Sequence, residues 1–134
     1  MQNQRHLGLL SLPWISLLIF TACDPLYTVD YEVHNDTPAS IQVITSYPEL
    51  GFTDTNVIGT GTQLVFFDDS GLGQTTDDYL DRLTAIPMEL KIMNREGIEY
   101  KKDENDIQWW KRVYPDKKEG IGRVYLRIRA EDFK

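Results

Sequence analysis

The chain has 134 residues and a formal net charge of −7, with a single cysteine and two histidines. Net acidity argues against nucleic acid as a partner, because the phosphate backbone is bound through an excess of basic side chains. One cysteine excludes an internal disulfide, and so few cysteines and histidines cannot supply the ligands of a zinc site.

The N-terminal segment has the order of a secretion signal. Residues 1–6 are polar with one firm positive charge, and residues 7–20 are almost continuously apolar. As a helix this apolar run would span ~21 Å, which is short of the ~30 Å hydrocarbon core of a bilayer. The segment therefore predicts a cleaved signal rather than a permanent membrane span.

The next residues, Phe20-Thr21-Ala22-Cys23, resemble a lipobox, although leucine is the common residue at the position of Phe20. In lipoproteins with this pattern the cysteine thiol receives a diacylglyceryl group and the chain is cut just before it. The resemblance implies that residues 1–22 are a lipoprotein signal peptide, that Cys23 is lipidated, and that residues 23–26 form a tether. The alternative is an ordinary signal or an uncleaved anchor with an incidental cysteine.

Four segments of the remaining chain have the β-branched and aromatic composition of strands, namely residues 27–34, 41–47, 63–68 and 123–130. The first and last alternate between apolar and polar side chains, which is typical of strands with one face on a core. The third has little alternation and predicts burial on both faces.

A helix and a hairpin are predicted between these strands. Residues 76–83 begin with a capping threonine and acidic residues, which favours a short helix. Residues 88–93 and 98–102 flank an Asn-Arg-Glu-Gly turn and predict the clearest hairpin of the chain. Residues 107–114 are compatible with either a strand or a bent connection.

Many short strands with at most one short helix predict an all-β domain over residues 27–134, an antiparallel β-sandwich with an immunoglobulin-like arrangement. Five features in chain order resemble small lipoproteins common in Bacteroidetes: turn-rich N-terminal strands, Gly71-Leu72-Gly73, an Ile86-Pro87 hairpin, the Trp-Tyr stretch over 109–114, and a terminal strand that closes in Glu131-Asp132-Phe133. The resemblance covers most of the chain and implies a location and a fold, not an activity.

The strongest candidate for ligand or partner contact is the aromatic cluster of Trp109, Trp110, Arg112 and Tyr114. An exposed tryptophan with tyrosine and arginine nearby can stack on a sugar ring or bind a protein partner. Adjacent strand residues face opposite sides, so one tryptophan is expected in the core and the other on the surface. Core packing with a surface cation–π contact explains the same residues without a ligand.

A weaker candidate is a calcium site formed by five aspartates, Asp68, Asp69, Asp77, Asp78 and Asp81. Calcium prefers several carboxylate oxygens, but this spacing matches no known calcium loop, and a solvated acidic loop is the favoured explanation. The one histidine outside the signal, His34, is predicted on the surface. No nucleophile motif is present, so no catalytic residue and no cofactor are assigned.

The sequence thus predicts a membrane-anchored lipoprotein of the cell envelope, at the outer membrane facing the periplasm, that acts as a non-enzymatic binding or structural module. Its expected contacts are the membrane through the lipid and an envelope protein, peptide or glycan, without nucleic acid. The alternatives are an envelope hydrolase with paired carboxylates and a calcium-binding surface module. The basic residues concentrated after position 90 could form a local contact face.

Overall fold

A computed structural model describes residues 25–116 and 120–133. The predicted signal peptide and Cys23 therefore lie outside the described residues. The described strands are β1 (Leu26–Asn35), β2 (Ile41–Tyr47), β3 (Phe52–Ile58), β4 (Gln63–Leu72), β5 (Glu89–Asn94), β6 (Lys111–Val113) and β7 (Gly122–Ile128). They are joined by one α-helix, α1 (Thr76–Arg82), and by short 3-10 turns at Pro48–Leu50, Ile107–Trp109 and Ala130–Phe133. None of the helices in this part of the chain is long and apolar enough to cross a bilayer.

The strands form two sheets, with the orders β4-β1-β7-β6 and β3-β2-β5. All pairs are antiparallel except β1 and β7, which run parallel from Val29 opposite Gly122 to Asn35 opposite Ile128. The expectation of a purely antiparallel sandwich is wrong for this pair, because alternation specifies which face is buried and not the direction of the neighbour. The strand order also differs from that of immunoglobulin domains, so an immunoglobulin-like arrangement is not confirmed.

The buried side chains of both sheets form a single hydrophobic cluster. Its centre consists of residues that are no more than 4 % exposed: Val29, Tyr31 and Val33 of β1, Val124, Leu126 and Ile128 of β7, Ile41 and Val43 of β2, and Leu90 and Ile92 of β5. This two-layer packing is that of a β-sandwich and confirms the alternation predicted for β1 and β7. Strand β4 was expected to be buried on both faces but is an edge strand without a fully buried residue.

The predicted hairpin after β5 is only partly formed, since a single bridge joins Met93 to Glu99. Side chains of the following loop bond to the edge of β5 instead. The Asn105 side chain accepts a hydrogen bond from the Leu90 N–H at 2.7 Å and donates one to the Leu90 carbonyl at 3.0 Å. Glu104 accepts a bond from the Ile92 N–H at 3.0 Å. Side-chain bonds of this kind compete with a strand ladder and hold the loop against the sandwich.

Helix α1 forms almost as predicted and closes one end of the sandwich. The Thr75 hydroxyl caps it by accepting a bond from the Asp78 N–H at 3.1 Å. Leu80 is fully buried. The Tyr79 hydroxyl donates to Asp69 at 2.7 Å, and its oxygen lies 2.7 Å from the hydroxyl of Tyr31. The helix is therefore attached to both β1 and β4.

Candidate functional site

The two adjacent tryptophans have opposite environments. Trp110 is 5 % exposed, packs edge-to-face on Phe66, and donates its indole N–H to the Glu104 carbonyl at 2.9 Å. Trp109 is 41 % exposed. The predicted division into one core and one surface tryptophan is confirmed. Strand alternation was the predicted reason for this division, and it is wrong, because neither residue lies in a strand. Trp109 ends a 3-10 turn, and Trp110 precedes β6.

The other two residues of the predicted aromatic cluster face helix α1 and the loop after it. Arg112 donates to the Leu83 carbonyl at 2.6 Å, and the Tyr114 hydroxyl donates to the carboxylate of Asp81 at 2.5 Å. These contacts hold β6 against the helix. The structure therefore does not place Trp109, Trp110, Arg112 and Tyr114 on one surface.

Trp109 instead borders a groove of about 350 Å³, which we call the basic groove. Its lining consists of four cations, two acids and three further polar or aromatic side chains: Lys102, Lys111, Arg127, Arg129, Glu131, Asp132, Tyr100, Gln108 and Trp109. The cations come from the loop after β5, from β6 and from the end of β7. The groove thus collects basic side chains from three segments of the chain.

One carboxylate in the groove is already fully engaged. Asp132 is 5 % exposed and accepts bonds from the Lys102 ammonium and the Arg129 backbone N–H, each at 2.8 Å. Lys102 also lies over the indole ring of Trp109, 5.0 Å from its centroid. Burial raises the pKa of Tyr100 to about 12, so its hydroxyl keeps its proton at neutral pH. The floor of the groove is therefore fixed by internal contacts.

The remaining cations differ in how far they are neutralised. Arg127 forms an ion pair with Asp36 at 3.3 Å and lies over the ring of Tyr125. Within the described residues, neither Lys111 nor Arg129 forms a side-chain ion pair. The groove consequently has an excess of positive charge in a chain whose net charge is −7.

This arrangement suits the binding of an anion better than hydrolysis by paired carboxylates. A guanidinium group can donate two parallel hydrogen bonds to a carboxylate or phosphate, and an ammonium adds a point charge. General acid–base hydrolysis by two carboxylates would need both acids free. Asp132 is engaged by Lys102 and by backbone, which leaves Glu131 without a paired acid in the groove.

The five aspartates of the weak calcium candidate are not brought together. Asp69 accepts bonds from the hydroxyls of Tyr79 and Tyr27, and Asp81 accepts one from Tyr114. No group of three or more acidic, histidine or cysteine side chains in residues 25–116 and 120–133 is placed to hold a metal ion. The carboxylates of Asp69 and Asp81 instead bind tyrosine hydroxyls that fix α1 and β6.

His34 is not freely exposed, in contrast to the expectation for the polar side of β1. Its side chain is 18 % exposed, its Nε2 lies 2.6 Å from a carboxylate oxygen of Glu32, and its ring stacks on Tyr125. The neighbouring strand β7 supplies that tyrosine, and the parallel pairing of β1 with β7 was not predictable from alternation. His34 is therefore held within the sheet surface.

A second groove, of about 510 Å³, lies between the turn after β2 and the loop before β5. Its lining is mainly apolar, with Leu50, Phe67, Pro87 and Met88 among its residues, and it lacks basic side chains. It offers apolar contact area but no charge that selects a ligand. Of the two grooves, the basic groove is therefore the one whose lining selects a class of ligand by charge.

Only Trp109 of the nine residues that line the basic groove was predicted from the sequence as a site residue. The cations that were not predicted are Lys102, Lys111, Arg127 and Arg129. The available signal was the concentration of basic residues after position 90, which indicated a local contact face without placing it.

Comparison with protein-family models, with curated proteins and with solved structures gave no match.

Proposed function

We propose that this chain is a lipid-anchored protein of the cell envelope whose β domain binds an anionic ligand in the basic groove, without catalysing a reaction. The lipobox-like Phe20-Thr21-Ala22-Cys23 supports the anchor. An outer-membrane position facing the periplasm is the location we propose with it. The ligand is an anionic component of the envelope.

The anchor is tested with a Cys23→Ala variant. Each buried methylene contributes ~0.8 kcal/mol to membrane binding, and stable anchoring needs more than one acyl chain. We expect the variant to leave the membrane fraction, whereas the wild-type protein remains there after salt and carbonate washing. A Cys23→Ala protein that stays in the washed membrane pellet would contradict lipid anchoring.

The observation that carries the binding proposal is the convergence of four cations around an exposed tryptophan in an acidic protein. Basic side chains in an acidic chain are usually dispersed or paired with acids. Here Lys111 and Arg129 both line the groove, and neither forms a side-chain ion pair among the described residues. A ligand with one or more negative charges would neutralise this excess.

Binding is measured by calorimetric titration of the exported chain carrying Cys23→Ala, with polygalacturonate and polyphosphate as anionic probes. We expect at least one probe to bind, and Arg129→Glu to weaken its affinity by about tenfold, which corresponds to ~1.4 kcal/mol. Arg95→Glu is the matched control, because Arg95 is exposed in the turn after β5 and does not line the groove. Equal losses in the two variants would mean that net charge, and not the groove, governs binding.

A further inference from the structure

The basic groove lies far along β1 from the end of the domain that is attached to Cys23. Strand β1 has 10 residues and begins at Leu26, three positions after Cys23. Strand β7 runs parallel to it and ends with Ile128 opposite Asn35, immediately before Arg129. At a rise of ~3.3 Å per residue, this end of the sandwich lies ~30 Å along the strand from Leu26.

The near wall of the groove is also remote from the start of β1. Lys111 is paired with Tyr125, which lies opposite Glu32, so Lys111 is ~20 Å along the strand from Leu26. Electrostatic interactions between exposed charges are screened over ~8 Å at physiological ionic strength. If β1 stands upright on the membrane that holds Cys23, the headgroups of that membrane are therefore too far from the groove to occupy it.

The lining of the groove favours one kind of anion. Phosphate requires cations and hydrogen-bond donors, but it gains nothing from an aromatic face. Trp109 is 41 % exposed and lines the groove together with Gln108. The Lys102 ammonium lies over one face of the indole ring, so a sugar would stack on the opposite face. An aromatic face beside polar groups and a cation suits a sugar ring that bears a carboxylate. The ring would stack on the indole while its carboxylate meets Arg129 or Lys111.

We infer that the ligand is an acidic glycan, a chain of carboxylate-bearing sugars, which the groove meets on the side of the domain away from its own membrane. This inference rests on the proposed binding function and narrows it in two respects, the chemical class of the ligand and its location. Trp109 selects the sugar, and Arg129 with Lys111 selects its charge.

Ligand class is tested by titrating the soluble Cys23→Ala chain and its Trp109→Ala and Trp109→Phe variants with polygalacturonate, polyphosphate and neutral dextran. We expect polygalacturonate to bind at least tenfold more tightly than polyphosphate, and dextran not to bind. Trp109→Ala should reduce affinity for polygalacturonate about tenfold and leave polyphosphate unchanged, while Trp109→Phe retains part of the affinity. Equal affinity for the two anions, or equal losses in Trp109→Ala, would overturn the glycan assignment and leave the anion site intact.

Location is tested with the lipidated protein in vesicles of phosphatidylcholine and phosphatidylglycerol. We expect polygalacturonate to bind the vesicle-anchored protein as tightly as it binds the soluble chain. Vesicle binding by the unlipidated Cys23→Ala chain that Arg129→Glu abolishes would identify a lipid headgroup as the ligand and overturn the inference. Binding that is lost on anchoring would show that the groove faces the membrane. Failure of both anionic probes to bind in any format would instead overturn the proposed function itself.

Discussion

Removal of the Trp110 side chain should destabilise the domain far more than removal of Trp109. Trp110 is 5 % exposed, packs on Phe66, and donates its indole N–H to the Glu104 carbonyl. Replacing a buried aromatic residue by alanine costs ~3–5 kcal/mol. For a small domain, whose unfolding free energy falls by ~1–3 kcal/mol per molar urea, this corresponds to a decrease of about 2 M in the unfolding midpoint.

Trp109→Ala provides the matched comparison at the adjacent position. Its main described contact is the cation–π interaction with Lys102, which is worth ~0.5–1 kcal/mol at an exposed site. We therefore expect a midpoint decrease of less than about 0.5 M for the same slope. Trp110→Phe should give an intermediate decrease, because it keeps an apolar ring and loses the indole N–H.

The measurement is equilibrium unfolding in urea of the exported chain carrying Cys23→Ala, followed by far-ultraviolet circular dichroism. Dichroism is preferred to fluorescence because each substitution removes a fluorophore. Equal midpoints for the two alanine variants would refute the assignment of Trp110 to the core and Trp109 to the groove.

Two further predictions concern packing and ionisation within the sandwich. Gly122→Ala should lower the free energy of unfolding by ~1–3 kcal/mol, because a Cβ there would lie 2.7 and 2.9 Å from two side chains of α1. Gly59→Ala is the control: its Cβ would have its nearest contact at 3.7 Å, so the urea midpoint should change little. Burial raises the pKa of Glu104 above its ordinary value of 4.5, so its ionisation disfavours the fold as pH rises from that value through the raised pKa. Glu104→Gln keeps an acceptor for the Ile92 N–H but carries no charge. In thermal unfolding, the stability of this variant relative to the wild-type chain should therefore increase from pH 4 to pH 7. A stability difference that stays constant over this range would contradict a raised pKa for Glu104.

The faces of the central strands were predictable from the sequence, but their neighbours were not. Val124, Leu126 and Ile128 alternate with polar residues, and this period places them in the core whatever strand lies beside them. The parallel pairing of β7 with β1 depends on how the chain returns across the sheet, and no local pattern encodes it. Strand direction therefore required the three-dimensional structure.

The predicted hairpin ends after its first backbone hydrogen bonds for a specific reason. Residues 98–102 have suitable residues for a return strand, yet side chains of Glu104 and Asn105 bond to the backbone of β5 at the positions a strand would use. The strand propensity of a segment does not reveal that side chains from another segment will bond to the backbone it would pair with. The same contacts hold the loop that leads to the two tryptophans.

The candidate site was predictable in one residue of its lining. Trp109 was identified because an exposed aromatic beside basic residues is a recognised contact feature. Lys102 and Arg129 were not grouped with it, since they come from the loop after β5 and from the residue after β7, which only the tertiary fold brings to Trp109. Lys111 was also left out, although it lies two residues from Trp109 in sequence. Arg112 and Tyr114 were grouped with it wrongly, because adjacency in sequence does not keep side chains on one face when a 3-10 turn precedes a strand.

The central claim is that the basic groove is the ligand site, and a crystal structure of the exported chain with a galacturonate trisaccharide tests it most directly. We predict a sugar ring on the exposed face of Trp109 with a carboxylate within hydrogen-bond distance of Arg129 or Lys111. A trisaccharide seated in the apolar groove beside Leu50 and Pro87, with the basic groove left open, would contradict the account.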